Sequence, residues 1–427
     1  MINVNDGNWD IKYISDLGTI YSGSTPSTDN QNFWNGDIVW ITPNDLSEIR
    51  SRFIHSSERK ITIAGLKSCS TKLLPANSLV ISSRAPIGYL ALPTTDFCTN
   101  QGCKSIVFNT EQDPEFHYYN LLFRVKLIKE KGEGTTFSEI SKSALSKIKI
   151  LVPLSKSTQS KIAEVLSKID KAIAQTETLI AKYKRVKTGL MQDLLTRGID
   201  ENGQLRDRTT HKFKRSPLGM IPDEWEVVKL SNVCNKIGVG IATSTTRYFV
   251  ETGIPLIRNQ NISETGILMD DIVYISEYFS EINNNKKLRK DDILMVRTGY
   301  PGISCLVTDN EDGWQSFTTL IIRPNSRLIF SPFLVLFLNS WMCKKQITNL
   351  QAGGAQQNLN AGEAEKLNVI LMNISEQKAI YNAINSICNY LNIEISYLQI
   401  LQKIKTGLMQ DLLTGKISIK PLLTNEP

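Results

Sequence analysis

The ten residues KTGLMQDLLT occur twice in this chain of 427 residues, at Lys187–Thr196 and at Lys405–Thr414, 218 positions apart. The correspondence continues outward from the two copies. Trp9 in NWDIKYIS answers to Trp225 in EWEVVKLS at an offset of 216, Gly88 in APIG to Gly302 in GYPG at 214, and Asp113-Pro114 to Ser331-Pro332 at 218. The chain is therefore a tandem duplication, each half a globular region followed by a long helix.

The helices carry the strongest periodic signal. Ile162, Leu166, Ile169, Ile173, Thr176, Ile180, Tyr183, Lys187, Leu190 and Leu194 are spaced alternately by four and three, a heptad seam. Adding 218 gives Ile380, Ile384, Ile387, Leu391, Glu394, Leu398, Leu401, Lys405, Leu408 and Leu412, so the seam recurs with its polar breaks. A second stripe, Val165, Ala172, Leu179 and Val186, answered by Ala383, Tyr390, Tyr397 and Ile404, widens the apolar face and leaves surface for additional helices. Ser157 and Ser375 suit the N-caps, and Gly198 and Gly415 the terminating left-handed position. Chain order makes antiparallel packing of the two seams simplest, each helix being roughly 58 Å long at about 1.5 Å per residue. The expectation is a dumbbell with an approximate two-fold axis.

The globular parts contain short strands, DIVWIT, SLVISS and KSIVF in the first half and IPLIRN, DILMVRTG and TTLIIRP in the second, separated by Gly, Asn, Pro and Asp turns. A helical stretch follows in each, EFHYYNLLFRVKLIKEKG after Asp113-Pro114 and FLVLFLNSWMCKKQITNL after Ser331-Pro332. Tyr118, Tyr119, Phe333 and Phe337 are assigned to the cores. The fold class is α+β: two mixed, mainly β domains separated by two long antiparallel coiled-coil helices with pseudo-two-fold symmetry. The boundaries are 1–152 for the first domain, 153–198 for the central helical spacer, 199–222 for a linker, 223–372 for the second domain, 373–417 for the C-terminal helical spacer and 418–427 for a tail.

Composition is that of ordinary globular protein, 41% hydrophobic and 21% charged. No apolar run is long enough to span a bilayer, and MINVNDGNWDIKYIS lacks the regions of a signal peptide, so a cytoplasmic protein without a membrane partner is expected. The seven cysteines show no C-x-x-C spacing and the three histidines stand far apart, so neither metal nor disulfide framework is expected. The net charge of +7 leans toward an anionic partner. Nine Lys or Arg against four Asp or Glu lie between Lys184 and Arg215, where a solvated linker and a phosphate-binding one are both open.

No phosphate-cradling G-x-x-x-x-G-K-[ST], no [DN]-P-P-[YF], no H-E-x-x-H and no G-x-S-x-G occurs. PDEWEVVK (Pro222–Lys229) has the wrong spacing for a nuclease and reads as strand entry. The chain reads as a binder without catalytic residues of its own.

The pattern of identity is informative. Over Ser157–Val186 only 4 of 30 positions match their counterparts, whereas all ten match over Lys187–Thr196. A seam constraint does not explain the repetition of Lys187, Gln192 and Asp193, and Gly189 and Gly407 each cost a helix about 0.5–1 kcal/mol. The economical explanation is that both copies touch the same partner, through Lys187, Gly189, Leu190, Met191 and Leu194 and through Lys405, Gly407, Leu408, Met409 and Leu412. Symmetric packing of the helix ends on each other is the structural alternative. The globular loops differ instead, WITPNDL against LIRNQNI and SSRAPIG against VRTGYPG. Matched attachment points with unlike heads suit two copies of one partner and two half-sites on a long polymer such as duplex DNA.

WDIKYISDLGTIYSGSTPS (Trp9–Ser27), FWNGDIVWITPNDL (Phe33–Leu46), VPLSKSTQSKIAEVLSKIDKAI (Val152–Ile173), SPLGMIPDEWEVVKLSNV (Ser216–Val233) and both GLMQDLLT ends resemble the specificity subunit of type I restriction-modification systems, over essentially the full length. The second domain departs at its opening, where NKIGVGIATSTT replaces the G-x-T-P-S type loop. The resemblance implies two target recognition domains, each reading half of a bipartite double-stranded DNA site, with helices as a ruler. It implies two methyltransferase (M) subunits that bind S-adenosylmethionine and modify adenine, and an ATP- and Mg-dependent restriction (R) subunit as an optional further partner; this chain binds no cofactor itself. Base contacts call for Arg or Lys toward guanine and Asn or Gln toward adenine. The candidates are Asn44, Arg84, Asn100, Gln101 and Lys104 in the first domain and Arg258, Asn259, Gln260, Arg297, Gln356 and Gln357 in the second, with a turn-forming or phosphate-contacting role as the alternative for each. Lys286, Lys287, Arg289 and Lys290 form a basic cluster suited to phosphates, with a solvated turn as the alternative. A coiled-coil scaffold whose heads bind proteins, and the recognition chain of a different restriction class, remain as other readings.

Overall fold

The structure, a computed structural model, describes residues 8–84, 86–132, 139–351 and 358–419. Two helices dominate it, Lys156–Thr196 and Ile374–Leu412. The chain divides into two compact units, one of residues 1–178 with 395–427 and the other of residues 179–394, so each long helix contributes one end to each unit.

In the first unit, strand Trp9–Tyr13 pairs antiparallel with Lys149–Pro153. A five-stranded sheet has the order Gly18–Ser22, Cys103–Phe108, Leu79–Ser82, Leu90–Pro93, Phe53–Ile54. A three-stranded sheet centres on Trp34–Ile41, flanked by Lys60–Ile61 and, in parallel, by Phe97–Thr99. The second unit repeats this plan. Glu226–Lys229 pairs with Asn368–Leu371, and one four-stranded sheet runs Cys234–Val239, Leu320–Pro324, Ile293–Met295, Ser304–Leu306. In the other four-stranded sheet Ile254–Ile257 is flanked by Val273–Ile275 and, again in parallel, by Gln315–Ser316. Tyr119, Phe333 and Phe337 are fully buried, as core residues should be.

Several expected boundaries are corrected. The helical stretch after Asp113 is two helices, Pro114–Phe123 and Val125–Gly132, and that after Phe330 is also two, Ser331–Leu338 and Trp341–Gln351. Asp113 does cap its helix, accepting from the Phe116 N–H at 2.9 Å, but Ser331 lies inside its helix and Phe330 holds the cap position. Ser157 and Ser375 likewise lie inside the long helices; Asn373 caps the second, its Oδ1 accepting from the Glu376 N–H at 2.8 Å.

The backbone N–H of the cap residue is met in both units by a buried glutamine from the long helix. Gln377 accepts the Phe330 N–H at 2.7 Å and donates to the Met372 carbonyl at 2.8 Å. Its counterpart, Gln159, accepts the Asp113 N–H at 2.8 Å and donates to the Pro153 carbonyl at 2.9 Å. Both are wholly buried and ride in equivalent places, one of the 4 matches in an otherwise divergent stretch. Gln377→Ala leaves buried backbone groups without partners, and a loss of about 3 kcal/mol is expected from the urea midpoint.

His117, stacked on Phe108 and bonded to Gln112, is buried, and burial pushes its pKa down to about 3. The unfolded chain takes up a proton near pH 6.5 that the fold refuses. Stability from this residue is therefore complete above that pH and drains as pH falls below it. Unfolding midpoints compared at pH 7 and pH 5, for the native chain and for His117→Asn, should show a smaller acid loss in the variant.

The long-helix seams are buried or half-buried at every position named above. In the first unit Ile162 and Leu166 share a core with Met409 and Leu412, and Asp170 meets Lys405 at 2.6 Å. In the second, Tyr183 stacks on Tyr390 at 6.1 Å while Leu194 shares a core with Ile380 and Ile384. Within each unit, numbering thus climbs along one helix segment as it falls along the other. Each helix ends on a left-handed glycine that meets a tryptophan: a Cβ on Gly198 (φ +66°) would collide with Trp225, and one on Gly415 (φ +69°) would lie 3.1 Å from Trp9.

Candidate nucleic-acid interface

In the first unit the chain leaving strand Trp34–Ile41 turns into helix Pro43–Glu48, held by a reciprocal cap. The Thr42 N–H donates to Asp45 at 2.8 Å, and Asp45 is buried. In the second unit the chain leaving Ile254–Ile257 does the same, the Arg258 N–H donating to buried Asn261 at 3.0 Å. Beside each turn runs a second loop, tied by Asn100 N–H to Ile41 O at 3.0 Å and by Phe317 N–H to Ile257 O at 2.8 Å. A glycine lets a third segment approach: a Cβ on Gly23 would strike the Thr99 carbonyl, and one on Gly240 the Ser316 carbonyl. The openings GSTPS and GVGIATSTT, unlike in sequence, thus converge on one backbone contact.

On this shared frame the outward residues differ. In the first unit Asn44 is exposed and donates to Glu48 at 3.3 Å, while Asn100 Oδ1 closes its own turn on the Gly102 N–H at 2.9 Å. Gln101 accepts from Thr25. Lys104 is buried, its Nζ 3.2 Å from Ser83 Oγ and 3.4 Å from Glu139, which also lies 3.7 Å from Arg84. Gln101, Lys104 and Arg84 are therefore brought together, with Glu139 between the two cations.

In the second unit Asn259 bridges, its Oδ1 accepting the Arg297 N–H at 2.9 Å and its Nδ2 reaching Thr318 Oγ1 at 3.4 Å. Arg258, Asn259 and Arg297 are thereby gathered, and Gln260 is exposed beside them. The Nε atoms of Arg258 and Arg297 are buried without hydrogen-bond partners among the described residues. The carbonyl of Arg297 accepts from Leu359, as that of Ser83 accepts from Ile140, both at 2.9 Å. This equivalence sets Asn358 where the first unit has Glu139. Gln356 and Gln357 lie outside the described residues.

The basic cluster is largely tied down. Lys286 donates to the Gly240 carbonyl at 3.0 Å, Lys287 pairs with Glu281, and Lys290 pairs with Asp309 at 2.9 Å, which raises its pKa. Arg289 has an exposed side chain with no ion pair among the described residues, and its backbone N–H is held by fully buried Asp292, itself fixed by Arg323 at 2.7 Å. Glu139, Thr25 and Thr318, which complete these constellations, were not among the candidates; each acts across a tertiary contact that no local motif marks.

The repeated decapeptides lie in matching environments. Leu194 and Leu412 are buried, Leu190 and Leu408 half-buried, while Met191 is half-buried and Met409 buried. Thr188, Gly189 and Gln192 are exposed, as are Thr406, Gly407 and Gln410. A Cβ on either glycine would meet nothing within 4 Å, so no packing among the described residues requires the bare backbone. The second stripe is open along the C-terminal helix, with Tyr390, Tyr397 and Ile404 about half exposed.

Comparison with known proteins accords with this duplicated frame. The family model described as type I restriction modification DNA specificity domain matches residues 6–185 and again 222–406. The MjaIX type I restriction enzyme specificity subunit of Methanocaldococcus jannaschii is 26% identical over 97% of this chain and 94% of its own. In fold, the chain resembles the S subunit of a type I restriction-modification system from M. genitalium, with TM-score 0.61, 17% identity and coverage of 96% and 97%. It also resembles a chain from a structure explaining complex assembly and conformational transition of a type I R-M system, with TM-score 0.55, 13% identity and coverage of 96% and 98%. With the family model matched on both halves and over most of its length, this chain belongs to the type I restriction-modification DNA specificity family.

Proposed function

We propose that this chain is the non-catalytic DNA-reading subunit of a type I restriction-modification complex, in which each unit contacts one half of a bipartite duplex site. The carrying observation is the pair of equivalent turns, Thr42–Asp45 and Arg258–Asn261, each closed by the side chain of its fourth residue on the N–H of its first and each tied to a neighbouring loop by one backbone bond, but with different outward side chains. A common frame with exchanged readers is what recognition of two unlike half-sites requires. The long helices act as an antiparallel coiled-coil ruler with pseudo-two-fold symmetry, and the two decapeptides dock two methyltransferase subunits. S-adenosylmethionine, ATP and Mg belong to partner subunits of a cytoplasmic complex, which a restriction subunit joins as an optional further partner.

The test is binding of duplex DNA by the chain with its methyltransferase subunit as salt is raised. DNA reading predicts strong salt dependence. Binding of no duplex at any salt would favour a protein-binding scaffold.

Within this reading Glu139 restrains the first unit by neutralising Arg84 and Lys104, a restraint without a counterpart among the described residues of the second unit, where neutral Asn358 takes the place of Glu139 and Thr298 that of Arg84. Glu139→Gln should tighten DNA binding roughly two- to fivefold at low salt and steepen its salt dependence, read by fluorescence anisotropy.

A further inference from the structure

The two decapeptides are identical in sequence and nearly identical in surroundings. Asp193 pairs with Arg197 at 3.6 Å and Asp411 with Lys416 at 3.3 Å; Thr188 and Thr406 return their hydroxyls to the helix at 3.0 and 2.9 Å. The exception is the first residue. Lys405 is held by Asp170 at 2.6 Å, and the other oxygen of Asp170 accepts the hydroxyl of buried Tyr119 at 2.7 Å. The residues 218 positions beyond Asp170 and Tyr119 are Cys388 and Phe337, which offer neither carboxylate nor hydroxyl. Lys187 accordingly has no ion pair or hydrogen bond from its side chain among the described residues, although it is half-buried.

A partner presenting the same surface at both ends therefore meets two different electrostatic situations. At one end stands a cation without a counter-charge among the described residues of its own chain. At the other the corresponding cation is already neutralised, and Asp170 would repel a further carboxylate.

We propose that the two docking ends are unequal, with Lys187 receiving a carboxylate of one bound methyltransferase subunit while the Lys405 end binds the second through uncharged contacts. This rests on the docking role assigned above to the decapeptides. Close charge pairs at protein interfaces are worth about tenfold or more in affinity, so the two steps should differ by about tenfold at low salt and converge at high salt, where exposed pairs are screened.

The experiment titrates the full-length chain with its own methyltransferase subunit and counts bound copies by native mass spectrometry and sedimentation at low and high salt. The wild-type chain should fill in two unequal steps at low salt. Lys187→Gln should equalise them, Lys405→Gln should leave the inequality in place, and Asp170→Asn, which frees Lys405, should tighten the weaker step. Two equal steps in the wild-type chain, or an inequality that survives Lys187→Gln, would overturn the proposal. Gly189→Leu and Gly407→Leu, each made alone, separate this failure from failure of the docking role. If each removes one copy while the steps are equal, only the inequality is lost; if neither removes a copy, docking by the decapeptides is wrong and the proposal falls with it.

Discussion

Insertion of one heptad into both long helices should abolish methylation at the native spacing and create it at sites about 3 bp longer. Seven residues add about 10 Å of helix, and duplex DNA rises about 3.4 Å per base pair. A heptad returns the inserted segment to nearly the same face, so the seam from Ile162 to Leu194 and that from Ile380 to Leu412 stay apolar. An insertion of two residues would rotate the seam out of register and is expected to give an unstable chain. Sequencing of methylated adenines after expression with the methyltransferase subunit reads the outcome. A fall of about 100-fold or more at the original spacing, with a matching gain at the longer one, is expected; unchanged spacing would remove the ruler from the account.

The second large effect concerns stability and is asymmetric although the residues are paired in sequence. Trp225 is fully buried in the core of its unit, its indole N–H donates to Glu376 at 3.2 Å, and Glu376 in turn pairs with buried Arg206. Trp225→Ala is expected to cost about 3–5 kcal/mol, from lost burial and the cavity left beside the glutamate. Trp9 is only half-buried, and its unit has Thr158 at the position equivalent to Glu376. Trp9→Ala should cost less than half as much. Thermal and urea unfolding of the two variants check this, and equal losses would show that the duplicated cores are interchangeable after all.

How much of this was legible in the sequence follows from the range of each interaction. Helix period and decapeptide identity are local, and they located both long helices, the left-handed glycines Gly198 and Gly415 and the duplication. The caps at Ser157 and Ser375 were placed too far along, because Asn373 can offer an acceptor earlier and the helices begin before the serines. The breaks after Phe123 and Leu338 leave no proline or glycine to mark them. Phe330 could not be recognised as a cap position, since its N–H is satisfied from Gln377, 47 residues away. The reading residues were the least legible. Arg84 and Lys104 were chosen for their chemistry, but Glu139, which holds both, is 35 residues from Lys104 and is reached only by tertiary folding. Asn259 is by residue type a candidate for base reading or for turn formation, and its side chain contacts Arg297 and Thr318; an amide that can read adenine can equally brace a turn.

The central claim is that one duplicated frame carries two independent readers. Its most direct measurement is a genome-wide map of methylated adenines, made with this chain, without it, and with the globular segment of one half replaced by that of a relative. The account predicts a motif of two unlike half-sites at fixed separation that vanishes without the chain, and of which only one half-site changes on replacement. A single contiguous motif, or a replacement that alters both half-sites together, would contradict it.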